Sequence, residues 1–299
     1  MGLIKAAIGA VGGQLADQWR EYFYCEALDI YTLAAKGQKR ISAQGRSSNV
    51  RGNDNIISDG SVVAINDGQC MLIVEQGKVI EVCAEPGEFV FDKSTEPSIF
   101  YGGLGKGISE SVRTMGARIS FGGDTGKDQR VYYFNTKEIL DNRYGTVSPV
   151  PFRVVDANIG LDIDIAVTCN GAYSFKIHDP VLFYTNVTGN FESKYGRGLI
   201  DNQLRTELLT ALQPAFAKLS AMGVRYSAVP AHTKELSTAL NEELSGQWRG
   251  LRGLEIVSLG VSAISASEQD QQMIKDLQKA AVMRDPTMAA AAIVSSQAD

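Results

Sequence analysis

A change of hydrophobic period near residue 198 constrains this chain more than any other feature. Upstream, "GSVVAINDGQCMLIVEQGKVIEVCAEPGEFVF" breaks into short apolar runs at Val62–Ile65, Cys70–Glu75, Lys78–Cys83 and Phe89–Phe91. Asn66-Asp67-Gly68, Gln76-Gly77 and Glu85-Pro86-Gly87 separate them, and such residues close tight turns between strands. The spacing predicts an antiparallel meander. "YGGLGKGISESVRTMGARISFGGDTGKDQ" then reads as a glycine-rich excursion with a short helical portion around Ile108–Met115. Strand pattern returns at Arg130–Phe134, in "PFRVVD" and in "LDIDIAVTCNGAYSFKI". In the last, Leu161, Ile163, Ile165 and Val167 alternate with Asp162 and Asp164, as in a long strand with one wet face.

Downstream the period becomes helical. Leu204, Leu208, Leu212, Phe216 and Leu219 form one stripe, disturbed at Pro214. Leu236, Leu240, Leu244 and Trp248 recur every four residues along a helix from Thr233 to Arg249, which Gly250 and Gly253 end. "LEIVSLGVSAI" supplies one more strand. "SASEQDQQMIKDLQKAAVMRD" restarts a helix with a leading serine and an acidic first turn. Pro286 interrupts it, and an alanine-rich tail follows that stops uncapped, as though a longer helix had been cut. Strands first and helices afterwards predict an α+β fold. We expect an N-terminal helix over 1–23, a main domain over 24–264 and the start of a C-terminal helical segment over 265–299.

The N-terminal stretch "MGLIKAAIGAVGGQLADQWREYF" fits no targeting signal. Lys5 interrupts its apolar run, charged residues follow directly, and Ala6 fails the myristoylation pattern. At 100° per residue, Ile4, Ile8, Val11, Leu15, Trp19 and Tyr22 fall on one face of a helix. Gly9, Gly12 and Gly13 each cost about 1 kcal/mol relative to alanine, so such a helix forms when its stripe finds a surface. That surface is a membrane, a neighbouring subunit or the protein's own core. Trp19 and Tyr22 suit a bilayer interface. The loop "KGQKRISAQGRSSNVR" brings Lys36, Lys39 and Arg40 to anionic lipid, or serves as a solvated connection.

Catalytic signatures are weak. "GGDTGKDQ" is one residue short of a phosphate-binding loop, with Asp128 where a serine or threonine would hold magnesium, and "GGLGKG" fails the dinucleotide fingerprint. The two histidines, His178 and His232, have no triad or ligand pattern around them. Cys25, Cys70, Cys83 and Cys169 are scattered and read as small buried hydrophobes. The net charge of -5 argues against nucleic acid as a partner. We expect no catalytic residue, no cofactor, no metal and no enzymatic activity. No run reaches the roughly 18 apolar residues of a membrane-spanning helix.

Several segments together resemble the SPFH (band 7) superfamily of stomatins, prohibitins and flotillins. "SDGSVVAINDGQCMLIVEQGKVIEVCAEPGEFVF" is similar to its opening hairpins, and "GAYSFKIHDPVLFY" to its strand ending in Y-x-[IV]-x-DP, with Tyr173, Ile177, Asp179 and Pro180 at the matching positions. Two helices, the "GLEIVSLGVSAI" strand and a "SASEQD" helix start follow in the superfamily's order, and the likeness spans roughly residues 24–282. "MGLIKAAIG…WREYFYCEAL" and "VSPVPFRVVD" further resemble a bacterial YdjI-like subgroup labelled virion core protein-like.

The resemblance implies a homo-oligomeric scaffold, cytoplasmic and peripheral on the inner face of the cell membrane. An N-terminal segment would touch lipid, and a C-terminal helix carrying Met273, Ile274, Leu277 and Ala281 would drive assembly. It also implies association with phage-shock-type envelope-stress proteins. The subgroup's cysteine-rich zinc ribbon does not occur before Asp299, so zinc binding is not carried over. The alternative expectation is a soluble, self-assembling adaptor or shell protein, in which the N-terminal stripe packs on a neighbouring subunit.

Overall fold

A computed structural model describes residues 2–5, 21–40, 55–92, 99–100, 128–156 and 161–284. In chain order these hold β1 (Gly2–Lys5), β2 (Tyr22–Tyr24), β3 (Thr32–Lys36), β4 (Gln38–Arg40), β5 (Val62–Ile65), β6 (Gln69–Glu75), β7 (Lys78–Cys83), β8 (Gly87–Asp92), β9 (Ile99–Phe100) and β10 (Gln129–Asn135). Then come β11 (Ile139–Gly145), β12 (Val150–Asp156) and β13 (Leu161–Ile177). The short helix α1 (Pro180–Phe183) widens into a π-type turn at Tyr184–Thr188, and β14 (Lys194–Gly196) follows. Helices α2 (Asp201–Ala221) and α3 (Thr233–Leu244), the latter prolonged by π-type turns at Ser245–Arg252, precede β15 (Leu254–Ala266) and α4 (Glu268–Arg284).

Two compact units interleave along the chain. The first comprises Met1–Leu140, Phe175–Asn202 and Ser245–Glu255. It holds two sheets, ordered β1-β8-β5-β2-β4 and β14-β3-β10-β6-β7-β9. Leu3, Phe23, Val63, Ile65, Phe89 and Phe91 of the five-stranded sheet share one core cluster with Ala35, Met71, Ile73, Cys83, Val131 and Tyr133 of the six-stranded sheet. The other face of the six-stranded sheet is covered too. Tyr132 stacks 4.5 Å from Phe191, and Phe134 meets Phe183 and Tyr184 edge-on at 6.2 and 6.5 Å. Cover on both faces explains why β6 is an unbroken apolar run, "CMLIV", with every residue buried.

The strands between 62 and 92 stand where their pattern places them and pair mainly antiparallel, but not in chain order. β5 pairs with β8, and in parallel with β2. β6 pairs with β7 and β10. The Asn66-Asp67-Gly68 turn therefore hands the chain from one sheet to the other. Gly68 at φ +75° supplies its left-handed residue, and the Asn66 side chain donates to the Cys25 carbonyl. β2, β3, β4, β11 and β14 have no counterpart in the pattern reading, since each is short or only half apolar. The expected helical portion at 108–115 lies outside the described residues.

The second unit comprises Asp141–Ser174, Gln203–Leu244 and Ile256–Asp299. β13 is its centre, paired antiparallel with β12 from Val150↔Val167 to Asp156↔Leu161 and joined by β11 and β15. Leu161, Ile165 and Val167 are buried, while Asp162 and Asp164 face water. Asp162 accepts a bidentate pair of hydrogen bonds from Arg153, at 2.7 and 2.6 Å. The α2 stripe Leu204, Leu208, Leu212, Phe216 and Leu219 is buried throughout, with Phe216 5.6 Å from Phe152 of β12. Pro214 sits inside α2 without ending it. The Asn241 amide of α3 clamps Ile256 of β15 by accepting from its N–H and donating to its carbonyl.

Candidate contact site

Strand pairing aligns one row across all five strands of the first sheet. Ile4 stands opposite Val90, Val90 opposite Val62, Val62 opposite Tyr22, and Tyr22 opposite Arg40. Side chains in register share a face, so this row lies opposite the core-facing Leu3, Val63 and Phe23. Arg40 places its guanidinium 5.7 Å from the Tyr22 ring and 5.1 Å from the Tyr24 ring, within cation–π range. Tyr22 donates to the Glu88 carboxylate at 3.0 Å. Burial, with that bond second, pushes its phenol up to about 12. Ile4 at one end is 46% exposed, whereas Val62 in the middle is buried.

Three of the expected contact residues, Ile4, Tyr22 and Arg40, thus share one face, but by a different route from the one their spacing suggests. Ile4 and Tyr22 are strand residues at the two ends of the expected helix. Leu3 stands opposite Phe91 and is buried in the same core cluster as Phe89 and Phe91, and the backbone of 2–5 pairs with β8. At residues 2–5 and 22–24, sheet pairing and core burial take the place of the expected helix. Ile8, Val11, Leu15 and Trp19 lie outside the described residues.

The basic loop is corrected as well. Lys36 ends β3, and Lys39 and Arg40 belong to β4, with Gly37 between them donating its N–H to the Val131 carbonyl. The Lys39 ammonium lies 2.5 Å from Glu21 and 5.7 Å over the Phe23 ring, its side chain 10% exposed and that of Glu21 6%. Glu21 also accepts from the Ser58 N–H and the Ser61 hydroxyl. Lys36 donates to Asn55 and lies 3.8 Å from Glu192. Lys39 is spent inside the protein and Lys36 on its neighbours, so of the three basic residues Arg40 keeps an open approach. The partner of Lys39 stands 18 residues upstream, immediately before β2, where no local pattern points to it.

On α4, the Ser267 hydroxyl caps the first turn by accepting from the Asp270 N–H. Asp270 itself reaches the Ala166 N–H of β13 at 3.0 Å. Met273 and Leu277 stand one turn apart and exposed, flanked by Gln269, Gln272 and Asp276, with Ile274 half-buried beside them. Ala281 lies on the same helix.

The four thiols and His178 are turned inward. All four thiols are buried and unpaired, and burial pushes Cys25 and Cys169 up to about 11 and Cys83 to about 12. His178 sits 3.7 Å from Glu255, its imidazole lowered by burial first. Among the described residues no three His, Cys, Asp or Glu side chains gather as a metal site. The glycine-rich segments 102–107 and 122–127 lie outside the described residues. Asp179 caps α1 by accepting from the Val181 and Leu182 N–H groups, and its own N–H donates to the Gly253 carbonyl. The strand-to-"DP" element is therefore a structural joint.

A family model described as the SPFH domain-Band 7 family matches residues 111–284. The chain belongs to this family. The match covers more than half the sequence and ends at the last residue of α4. SPFH-domain proteins are generally membrane-associated, non-enzymatic scaffolds that typically form homo-oligomers. No curated protein compared with the chain matches it. Among the described residues of this SPFH-domain protein, no helix is long and apolar enough to cross a membrane.

Proposed function

We propose that the chain is a non-enzymatic, self-assembling scaffold, held peripherally on the inner, cytoplasmic face of a bacterial cell membrane. There it organises membrane or envelope-stress proteins of the phage-shock type. The observation that carries the membrane part is the row Ile4–Val90–Val62–Tyr22–Arg40. It combines an exposed aliphatic residue, an aromatic of the kind that favours bilayer interfaces and a cation held over two rings, on one face of a sheet. Ile8, Val11, Leu15 and Trp19, in the same N-terminal segment, complete the proposed lipid contact. Met273, Ile274, Leu277 and Ala281 on α4 are the proposed assembly face. Weak attachment through each subunit becomes strong when many subunits present it together.

Flotation with anionic vesicles tests the membrane part. The intact protein should float, and Ile4→Asp combined with Arg40→Glu should cut the bound fraction about tenfold. Equal flotation of the two would remove the row from the contact. Light scattering tests the assembly face: Met273→Asp with Leu277→Asp should give a smaller particle, and an unchanged mass would exclude it.

One observation favours the soluble adaptor or shell reading. Val62, at the centre of the row, is already buried. Assembly without any flotation of the wild type would select that reading.

A further inference from the structure

We propose that the β14 edge of the six-stranded sheet is a two-fold interface with a second copy of this chain, formed by Tyr31, Leu140 and Leu199 around Arg197. This surface belongs to the first unit and does not depend on the row or on α4. Tyr31 is 63% exposed, Leu140 50% and Leu199 70%. Tyr31 and the backbone of Leu140 meet Arg197, and Leu199 ends the turn that Arg197 begins, so three open apolar residues are tied to one arginine, and such exposed apolar groups mark interaction sites.

The patch is held stiff before any partner arrives. Arg197 sits 5.1 Å over the Tyr31 ring, donates to the Leu140 carbonyl at 3.0 Å and lies 3.4 Å from the Asp201 carboxylate. Its backbone N–H donates to the Tyr31 carbonyl at 2.8 Å. An arginine and a tyrosine already ordered lose little further entropy on association, and these residue types dominate binding energy at interfaces. Space around the turn is open, since a Cβ on Gly198 would meet nothing within 4 Å.

The sheet edge coincides with the patch. β14 is the terminal strand in its sheet, with β3 as its ladder neighbour. The outer side of such a strand offers backbone groups to a further strand. Two copies of β14 meeting about a two-fold axis would continue one sheet into the next.

Charge selects a second copy as the occupant. The rim carries opposite pairs: Arg197 with Asp201, and Asp29 with Lys194, which helps hold the Asp29 carboxyl below its ordinary range after the hydrogen bond from Thr32. A balanced rim meets its own two-fold image without net repulsion, each Asp29 able to face the other copy's Lys194. An anionic membrane would instead call for a net basic rim. A two-fold contact also closes on itself, which sets it apart from an open chain of subunits.

Sedimentation of full-length protein carrying Met273→Asp and Leu277→Asp isolates this contact from α4. The expected particle is two chains, and adding Leu199→Asp should weaken its dissociation constant at least a hundredfold. Asp29→Lys should weaken it about tenfold, and joining Lys194→Asp to it should restore the dimer. Unchanged circular dichroism would exclude unfolding as the cause. A single chain before Leu199 is touched, or a dimer indifferent to Leu199→Asp and Tyr31→Ala, would overturn the proposal. So would vesicle binding that needs Leu199 while the mass stays constant, because lipid would then be the occupant. Failure of the α4 substitutions to reduce the wild-type particle would count against the proposed assembly face and leave this interface standing.

Discussion

The Lys39 ammonium of β4 and the carboxylate of Glu21, the residue before β2, meet at 2.5 Å, both nearly closed to solvent. A buried pair is costly to break from one side because the remaining charge is left uncompensated. Lys39→Ala should therefore lower unfolding free energy by about 3 kcal/mol. Glu21→Ala should cost at least as much, since the Ser58 N–H and the Ser61 hydroxyl lose their acceptor too. Urea midpoints of the two single variants and the double variant measure the coupling. A loss below about 0.5 kcal/mol for Lys39→Ala would show a solvated surface pair instead.

Gly171 of β13 lies so close to β15 that a Cβ there would stand 1.9 Å from the Gly260 carbonyl oxygen and 3.0 Å from the Tyr144 hydroxyl. Tyr144 donates to that same carbonyl at 3.2 Å. The obstacle is backbone, which cannot swing aside, so Gly171→Ala should cost about 3 kcal/mol, at the upper end of overpacking effects. Gly198→Ala, facing open space, should stay within about 0.5 kcal/mol. Thermal melts of the pair provide the comparison, and equal stabilities would refute the close crossing.

Asp179→Ala removes the acceptor for two N–H groups at the start of α1 and should destabilise by about 1–2 kcal/mol. Gly253 at φ +68° leaves no room either, since its Cβ would lie 2.2 Å from the Asp179 carbonyl oxygen. Gly253→Ala adds left-handed strain of about 1 kcal/mol to that clash. Asp179→Asn, which keeps an acceptor, should recover part of the loss in chemical denaturation. No recovery would mean that the carboxylate charge matters and not the cap.

Alkali should destabilise the protein as its buried thiols ionise. Burial raises Cys83 from an ordinary 9.0 to about 12, and Cys25 and Cys169 to about 11. Each raised thiol stabilises the fold fully below pH 9 and loses that contribution as pH climbs toward the folded value, because the unfolded chain ionises first. Stability should fall between pH 9 and about 12. Thiol-reagent kinetics should follow unfolding across the same range, and rapid labelling of native protein at pH 8 would contradict the buried placement.

The sequence carried much of this architecture openly. The runs at Val62–Ile65 and Lys78–Cys83 are strands at those limits, and the four-residue stripe from Leu204 to Leu219 lies buried on α2. The Ser267 start of α4 and the wet Asp162–Asp164 face are equally local. Such features depend on neighbours within a few positions, so periodicity reports them directly. Sheet membership does not. β5 and β6 are separated by a three-residue turn yet lie in different sheets, which nothing in either strand's own pattern states.

The contact surfaces divide along the same line. By itself the sequence determined the apolar and basic residue types near the N-terminus, the α+β succession, the family-defining order of elements and the α4 stripe. Tertiary structure alone decided that Ile4 and Tyr22, expected on a helix, and Arg40, expected in a loop, align through strand register, and that Lys39 turns inward to Glu21. It also decided that Tyr31 and Leu140, more than 100 residues apart, both meet Arg197, whose own turn ends in Leu199. The physical reason is that helical periodicity is settled by residues three and four apart, whereas register, buried charge pairing and exposed patches are settled by which distant strands share a ladder.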